Sequence, residues 1–309
     1  MNKSRTRKPI SRRGFIGRAA AGTAGIAFGP VLALTGSELQ NSKWPAGARK
    51  YRFHLIGHAH IDPVWLWPWP EGMAVVHSTF RSALDRMNET PGFAFTASSA
   101  QFYEWVAEND PEMLKEIRKR VEEGRWNVVG GWWVEPDMNI PGGEAMVRQG
   151  LYGQLTLERL LGVRSKVAFN PDSFGHTATL PQIISKQGME NYVFMRPGPR
   201  EKTIEADLFW WESPDGTRVL TYRIPISYND SRSVRNRIEQ VMTQLKDQPF
   251  TTFMSYYGAG DHGGGATKEN IASILEIQSE KDAPLLLFST PGAFFNEVRG
   301  DRKIGRAHV

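Results

Sequence analysis

The chain has 309 residues, of which 40% are hydrophobic, 11% aromatic and 23% charged, with 10 tryptophans and no cysteine. That length and composition exclude a disordered protein, and the lack of cysteine excludes disulfides, thiolate metal sites and a lipoprotein anchor. The net charge of +5 is no sign of a nucleic-acid surface: seven basic residues and only Glu38 among the acids fall within residues 1–40, leaving the rest near −1.

The basic segment contains Ser11-Arg12-Arg13-Gly14-Phe15-Ile16, which resembles the twin-arginine export signal of bacteria. The apolar run that follows, Ala19 to Leu34, is short and interrupted by Gly22, Gly25, Gly29 and Pro30, so it is a poor membrane span. The expectation is a signal peptide and linker over 1–45, recognised by the twin-arginine export machinery, and a periplasmic or extracellular product with no stable membrane anchor. At the other end, Ile304 to Val309 is what a common sequencing adapter encodes in one frame. The expectation there is that 303–309 derives from adapter and that His308 has no functional role.

From residue 50, short β-rich runs alternate with amphipathic stretches. The pattern predicts strands at 52–56, 93–97, 126–129, 166–169, 191–195, 208–212, 218–222, 251–256 and 285–288. It predicts helices at 75–88, 101–108, 111–123, 143–161, 180–186, 234–245 and 268–280. Gly124 is placed to close the third helix as its cap. Such alternation implies an α/β fold with mainly parallel strands covered by helices, and a barrel-like version carries its functional residues at the strands' C-terminal ends.

The polar residues fall at those ends. His58-Ala59-His60-Ile61-Asp62-Pro63-Val64-Trp65 follows the first predicted strand, and in extended chain His60 and Asp62 aim a nitrogen and an oxygen the same way. That pair suits zinc or a similar divalent ion. Glu135, Asp137 and Asn139 follow the third strand, Asp172 and His176 the fourth, and Asp261 and His262 the strand at 251–256. Each could be ordinary turn chemistry, but four such ends together favour a metal-plus-carboxylate site. Gly263-Gly264-Gly265 lacks the Gly-Lys-Ser/Thr ending of a phosphate loop and is read instead as letting backbone approach a ligand closely.

Four blocks resemble glycoside hydrolase family 38, the zinc-dependent retaining α-mannosidases. They are His58 to Trp65; Trp133 to Glu144 with Arg148-Gln149; Asp172-Ser173-Phe174-Gly175-His176 with Leu180-Pro181-Gln182; and Gly258 to Thr267, where Ala266 stands in place of a usual proline. The resemblance runs from about 51 to 300 and implies an N-terminal catalytic domain, here 46–302, with a (β/α)7-type barrel-like fold. It implies that His60, Asp62 and Asp172 bind Zn²⁺, with His262 the candidate for a fourth, histidine ligand. Asp172 would be the nucleophile, Asp261 the acid/base, and Trp65 would lie under the sugar. Asp137 and His176 are further substrate-binding candidates, although supporting hydrogen bonds are the favoured role for them and for Glu135. The implied activity is hydrolysis of terminal α-mannosides of glycans with retention, possible only if two carboxyl groups flank the bond. The alternatives are a metal-dependent polysaccharide deacetylase or an inactive carbohydrate-binding fragment.

Overall fold

The computed structural model describes residues 44–229, 233–301 and 303–307. The segments read as the twin-arginine signal and as the last adapter codons, His308 included, lie outside the described residues.

The first strand, β1 (Arg52–His58), is the axis of one sheet. It pairs in parallel with β8 (Thr252–Tyr257) from Arg52 to Gly57. Its other edge is shared by β9 (Leu285–Phe288) over Arg52–Leu55 and by β2 (Phe95–Ala97) at Gly57 and His58. Strand β3 (Trp126–Val128) then extends the sheet beyond β2. A second sheet holds β4 (Val167–Asn170), β5 (Asn191–Phe194) and β7 (Arg218–Arg223) in parallel. Strand β6 (Leu208–Glu212) joins β7 as an antiparallel hairpin, and β10 (Arg306–Ala307) pairs with β6. Thus the mainly parallel α/β architecture read from the sequence is present, with the β6–β7 hairpin as its antiparallel exception. The two sheets touch at two places, one beside the β3 and β4 edges and one between β7 and β8. Gly130 N–H donates to the Val167 carbonyl at 2.8 Å, and the Tyr222 hydroxyl donates to the Met254 carbonyl at 2.9 Å.

Strand β1 is buried almost throughout, as expected of a parallel strand covered on both faces. The layer outside it begins with α1 (Trp69–Glu89), which buries Val76, Phe80, Ala83, Leu84 and Met87 at the 3.6-residue spacing of one face. Each of these except Ala83 contributes about 1.5–3 kcal/mol of apolar burial. Helix α1 begins earlier than the sequence pattern suggests because Pro70 sits in the first turn, where its missing N–H leaves no intrahelical bond unmade. Then come α2 (Ala100–Asn109), α3 (Pro111–Glu122), α4 (Gly143–Leu161), α5 (Leu180–Lys186), α6 (Val234–Gln244) and α7 (Lys268–Gln278). Gly124 does end α3, with a left-handed φ of 71°. The helix α8 (Pro291–Val298) was not expected from the pattern: its Thr290 cap accepts from Ala293 N–H, and Phe294, Phe295 and Val298 are buried. With few polar residues it has little amphipathic signature to read.

Candidate active site

Because the strands run in parallel, their C-terminal ends gather on one rim. A cavity of about 390 Å³ opens there, walled by residues that follow β1, β3, β4, β5, β7 and β8. From the sequence candidates it brings together His60, Asp62, Trp65, Glu135, Asp137, Asp172 and Asp261.

His60 is buried between two carboxylates. Its Nε2 is 3.4 Å from Asp62 and its Nδ1 is 3.3 Å from Glu135. These are ion-pair distances without hydrogen-bond alignment, so both ring nitrogens and one Glu135 oxygen lack a hydrogen-bond partner among the described residues. Burial opposes protonation of His60, yet Glu135 and Asp62 outweigh it and raise the imidazole to about pKa 10. The Ser98 hydroxyl donates to the other Glu135 oxygen, fixing that carboxylate from the end of β2. His58 is buried beneath, with Nδ1–H donating to the Thr96 carbonyl at 3.0 Å and so tying β1 to β2.

The glycine-rich loop after β8 shapes this corner. Gly263 N–H donates to the His60 carbonyl at 2.9 Å, and Gly264 N–H to the Thr79 hydroxyl at 3.0 Å. Gly258 has a φ of 133°, and a Cβ there would come within 2.4 Å of the His58 carbonyl oxygen. Gly258 thus permits close approach to the backbone at β1's end, whereas a Cβ at Gly263 would meet Val75 and Thr79 of α1 and one at Gly264 would meet Ala259.

Asp172 accepts from Arg196 Nε at 2.6 Å, and this contact, ahead of the smaller opposing effect of burial, raises the guanidinium further above its ordinary value. Arg196 also lies over the Phe174 ring at 5.2 Å. Its own backbone carbonyl accepts from His176 Nε2 at 2.6 Å, while Tyr192 Oη meets His176 Nδ1 at 3.1 Å. His176 thus uses both ring nitrogens on protein and does not line the cavity; it supports Arg196 from below. Asp137 lines the cavity, with one oxygen accepting from Asn139 and Ile140 N–H at 2.8 Å each. Asp261 accepts from the Tyr228 hydroxyl at 2.8 Å. Burial, then that hydrogen bond, pushes the Tyr228 phenol far above its ordinary range, so it remains a donor. His262 is set apart from His60: its ring stacks on Trp67 at 3.5 Å, it is absent from the cavity wall, and neither ring nitrogen has a hydrogen-bond partner among the described residues.

Two aromatic rings stand exposed on the cavity, Trp65 at 65% and Phe174 at 76%. Arg196, Tyr228, Phe174 and Asn170 were missed as site residues by sequence reading. The signal that would have found Arg196 and Tyr228 is the strand-end rule itself, applied to the ends of β5 and β7.

The donor types suit a divalent ion: an imidazole with unpartnered nitrogens beside the carboxylates of Asp62, Glu135 and Asp172. Among the described residues, however, no three of these side chains stand arranged around a common point. Asp172 is drawn to Arg196 and His60 to its two carboxylate neighbours. An imidazole binds a metal ion only in its neutral form.

Fold and cavity define a class: α/β domains with carboxylates, an imidazole and exposed aromatic rings around a pocket at the strand ends. Residues 50–306 match the family model of the "glycosyl hydrolases family 38 N-terminal domain", and the chain belongs to that family. It is 35% identical over 253 residues to α-mannosidase G of Dictyostelium discoideum, covering 81% of this chain and 23% of that protein. It is 32% identical over 260 residues to human α-mannosidase 2C1, covering 82% and 25%. In fold it is similar to the crystal structure of an α-mannosidase from Enterococcus faecalis V583, with a TM-score of 0.70 at 20% identity over 84% of this chain and 30% of that one. The chain thus spans about a quarter of the length of the curated relatives it matches.

Proposed function

We propose that this chain is the catalytic part of an exported, zinc-dependent α-mannosidase that hydrolyses terminal α-mannosides of glycans with retention. The observation that carries the reading is the single cavity in which Asp172 and Asp261 share walls with His60, Asp62 and two exposed aromatic rings. Family membership, and relatives named as α-mannosidases, support the substrate class.

In this mechanism Trp65 and Phe174 hold a hexose by its apolar face, and Asp137 is available to its hydroxyls through the oxygen not used in the turn. Arg196 orients Asp172 through its Nε–H, and Asp172 attacks the anomeric carbon to form a glycosyl-enzyme. Tyr228 donates to Asp261 Oδ1, so the proton that Asp261 delivers to the leaving oxygen sits on Oδ2. The same carboxylate, now ionised, takes a proton from the water that releases the sugar. Zn²⁺ held by His60, Asp62 and Asp172 would orient sugar hydroxyls and stabilise the distorted ring. His262 joins that set only if its ring leaves Trp67.

The test is hydrolysis of an aryl α-mannoside by the full-length gene product. Activity should fall on chelation and return with zinc, the first product should be the α-anomer, and Asp172→Asn should lower kcat by roughly three orders of magnitude or more. A fluorinated mannosyl substrate should label Asp172, an outcome a deacetylase would not give. Full activity of Asp172→Asn, or a β-anomeric first product, would sink the mechanism.

A further inference from the structure

Beside the catalytic cavity lies a second groove, of about 550 Å³, that none of the site chemistry uses. Its walls are the side chains of Trp69 in the first turn of α1 and Trp105 in α2, with Met73 and Val134 between. The two indoles lie 6.4 Å apart and within 30° of parallel. Trp69 is 53% exposed, unusual for a residue of its size in the first turn of a helix. Trp105 is held rigidly from behind, stacked on the buried Phe102 at 5.9 Å. Its main chain is fixed as well, since Asn109 Nδ2 donates to its carbonyl at 2.8 Å.

Polar groups stand over these rings. The side chains of Gln101 and Glu108 reach the groove and make no hydrogen bond or ion pair among the described residues. Together they supply amide donors and carboxylate acceptors next to flat apolar faces. That combination matches a pyranose ring, which presents C–H groups on one face and hydroxyls around its edge, and it matches the general pattern of an apolar pocket with a few placed polar groups.

The groove also adjoins the catalytic cavity. Pro63 and Val64 line the groove, whereas Asp62 and Trp65 line the cavity, so one turn of chain forms the wall between them. Consecutive Cα atoms are about 3.8 Å apart along the chain. A glycan whose end occupies the cavity therefore has the groove within reach of its next residues.

We propose that this groove is a second sugar-binding subsite, in which Trp69 and Trp105 stack a neighbouring hexose of the glycan and Gln101 and Glu108 bind its hydroxyls. The inference rests on the glycosidase reading for the occupant of the first cavity, and it assigns preference for oligosaccharides over simple mannosides to α1 and α2.

The full chain labelled with 5-fluorotryptophan, each resonance assigned by substitution, tests this by ¹⁹F NMR during titration with methyl α-mannoside and with a linear α-mannotriose. Trp65 should shift with both ligands, and Trp69 and Trp105 with the trisaccharide alone. Trp105→Ala should erase about tenfold of the trisaccharide's affinity advantage over methyl mannoside. The buried Trp126 and Trp132 resonances report whether that variant keeps its fold, and Trp69→Gln at the exposed position gives the same readout if it does not. If Trp65 shifts while Trp69 and Trp105 stay silent with the trisaccharide, the subsite is overturned and the catalytic reading stands. If Trp69 and Trp105 shift while Trp65 stays silent, the groove is a sugar site and the catalytic reading falls. Silence at all three positions overturns both.

Discussion

Asp172 and Arg196 meet at 2.6 Å, and what keeps Arg196 in place is a histidine that never faces the cavity. The His176 ring donates through Nε2 to the Arg196 carbonyl and shares a hydrogen bond at Nδ1 with the Tyr192 hydroxyl, which donates to it when the ring is neutral. Burial, opposed by that carbonyl and by Asp137, lowers its pKa from 6.5 to about 4. A folded value below the unfolded one means that neutral His176 stabilises the fold above pH 6.5. The contribution, about 3 kcal/mol at the limit, is lost as pH falls toward 4. Denaturant midpoints measured between pH 7 and 4 should therefore decline, and His176→Gln should flatten that decline; an unchanged slope in the variant would refute the assignment. Sequence reading found His176, Asp172 and Asp261 by their place after strands, and for His176 it held a supporting hydrogen-bond role beside a substrate-binding one without naming the partners. Which way an imidazole faces at a strand end depends on Tyr192 and Arg196, 16 and 20 residues away.

Helix α4 shows how an element sets the site at a distance. Gly153 lies in its buried face, where a Cβ would come within 2.5 Å of the Gly131 carbonyl oxygen and of the Trp132 backbone. Those residues lead into the loop carrying Glu135 and Asp137. In an exposed helix interior Gly→Ala adds up to about 1 kcal/mol of stability. Here the sign reverses: Gly153→Ala should destabilise by about 1–3 kcal/mol through overpacking and lower kcat by displacing Glu135. Thermal unfolding and mannoside hydrolysis of the variant check both effects, and a stabilised, fully active variant would show that the loop yields freely. Nothing in the helical pattern of 143–161 marks Gly153 as special; only the packed partner does.

On the scale of the whole molecule, the proposed site is assembled from six strand ends that lie as far apart in sequence as His60 and Asp261. It can exist only in the folded chain, and the export proposed above is by a route that carries folded proteins. No helix among the described residues is long and apolar enough to cross a membrane. Replacing Arg12 and Arg13 together by lysine should leave the protein in the cytoplasm, measured by fractionation and immunoblot; undiminished export of the double variant would remove the twin-arginine reading.

The sequence by itself determined the α/β class, most of the strands and helices, and the residue types of the site. These follow from local periodicity and from motifs whose members are a few residues apart. Only the tertiary structure decided that β6 runs antiparallel to β7, that Arg196 and Tyr228 are the partners of the two carboxylates, and that His262 packs on Trp67. It also revealed a second aromatic groove built by α1 and α2. The physical reason is the same in each case: strand direction, ion pairing and ring stacking are settled by groups far apart along the chain, and no local pattern encodes which of them will meet.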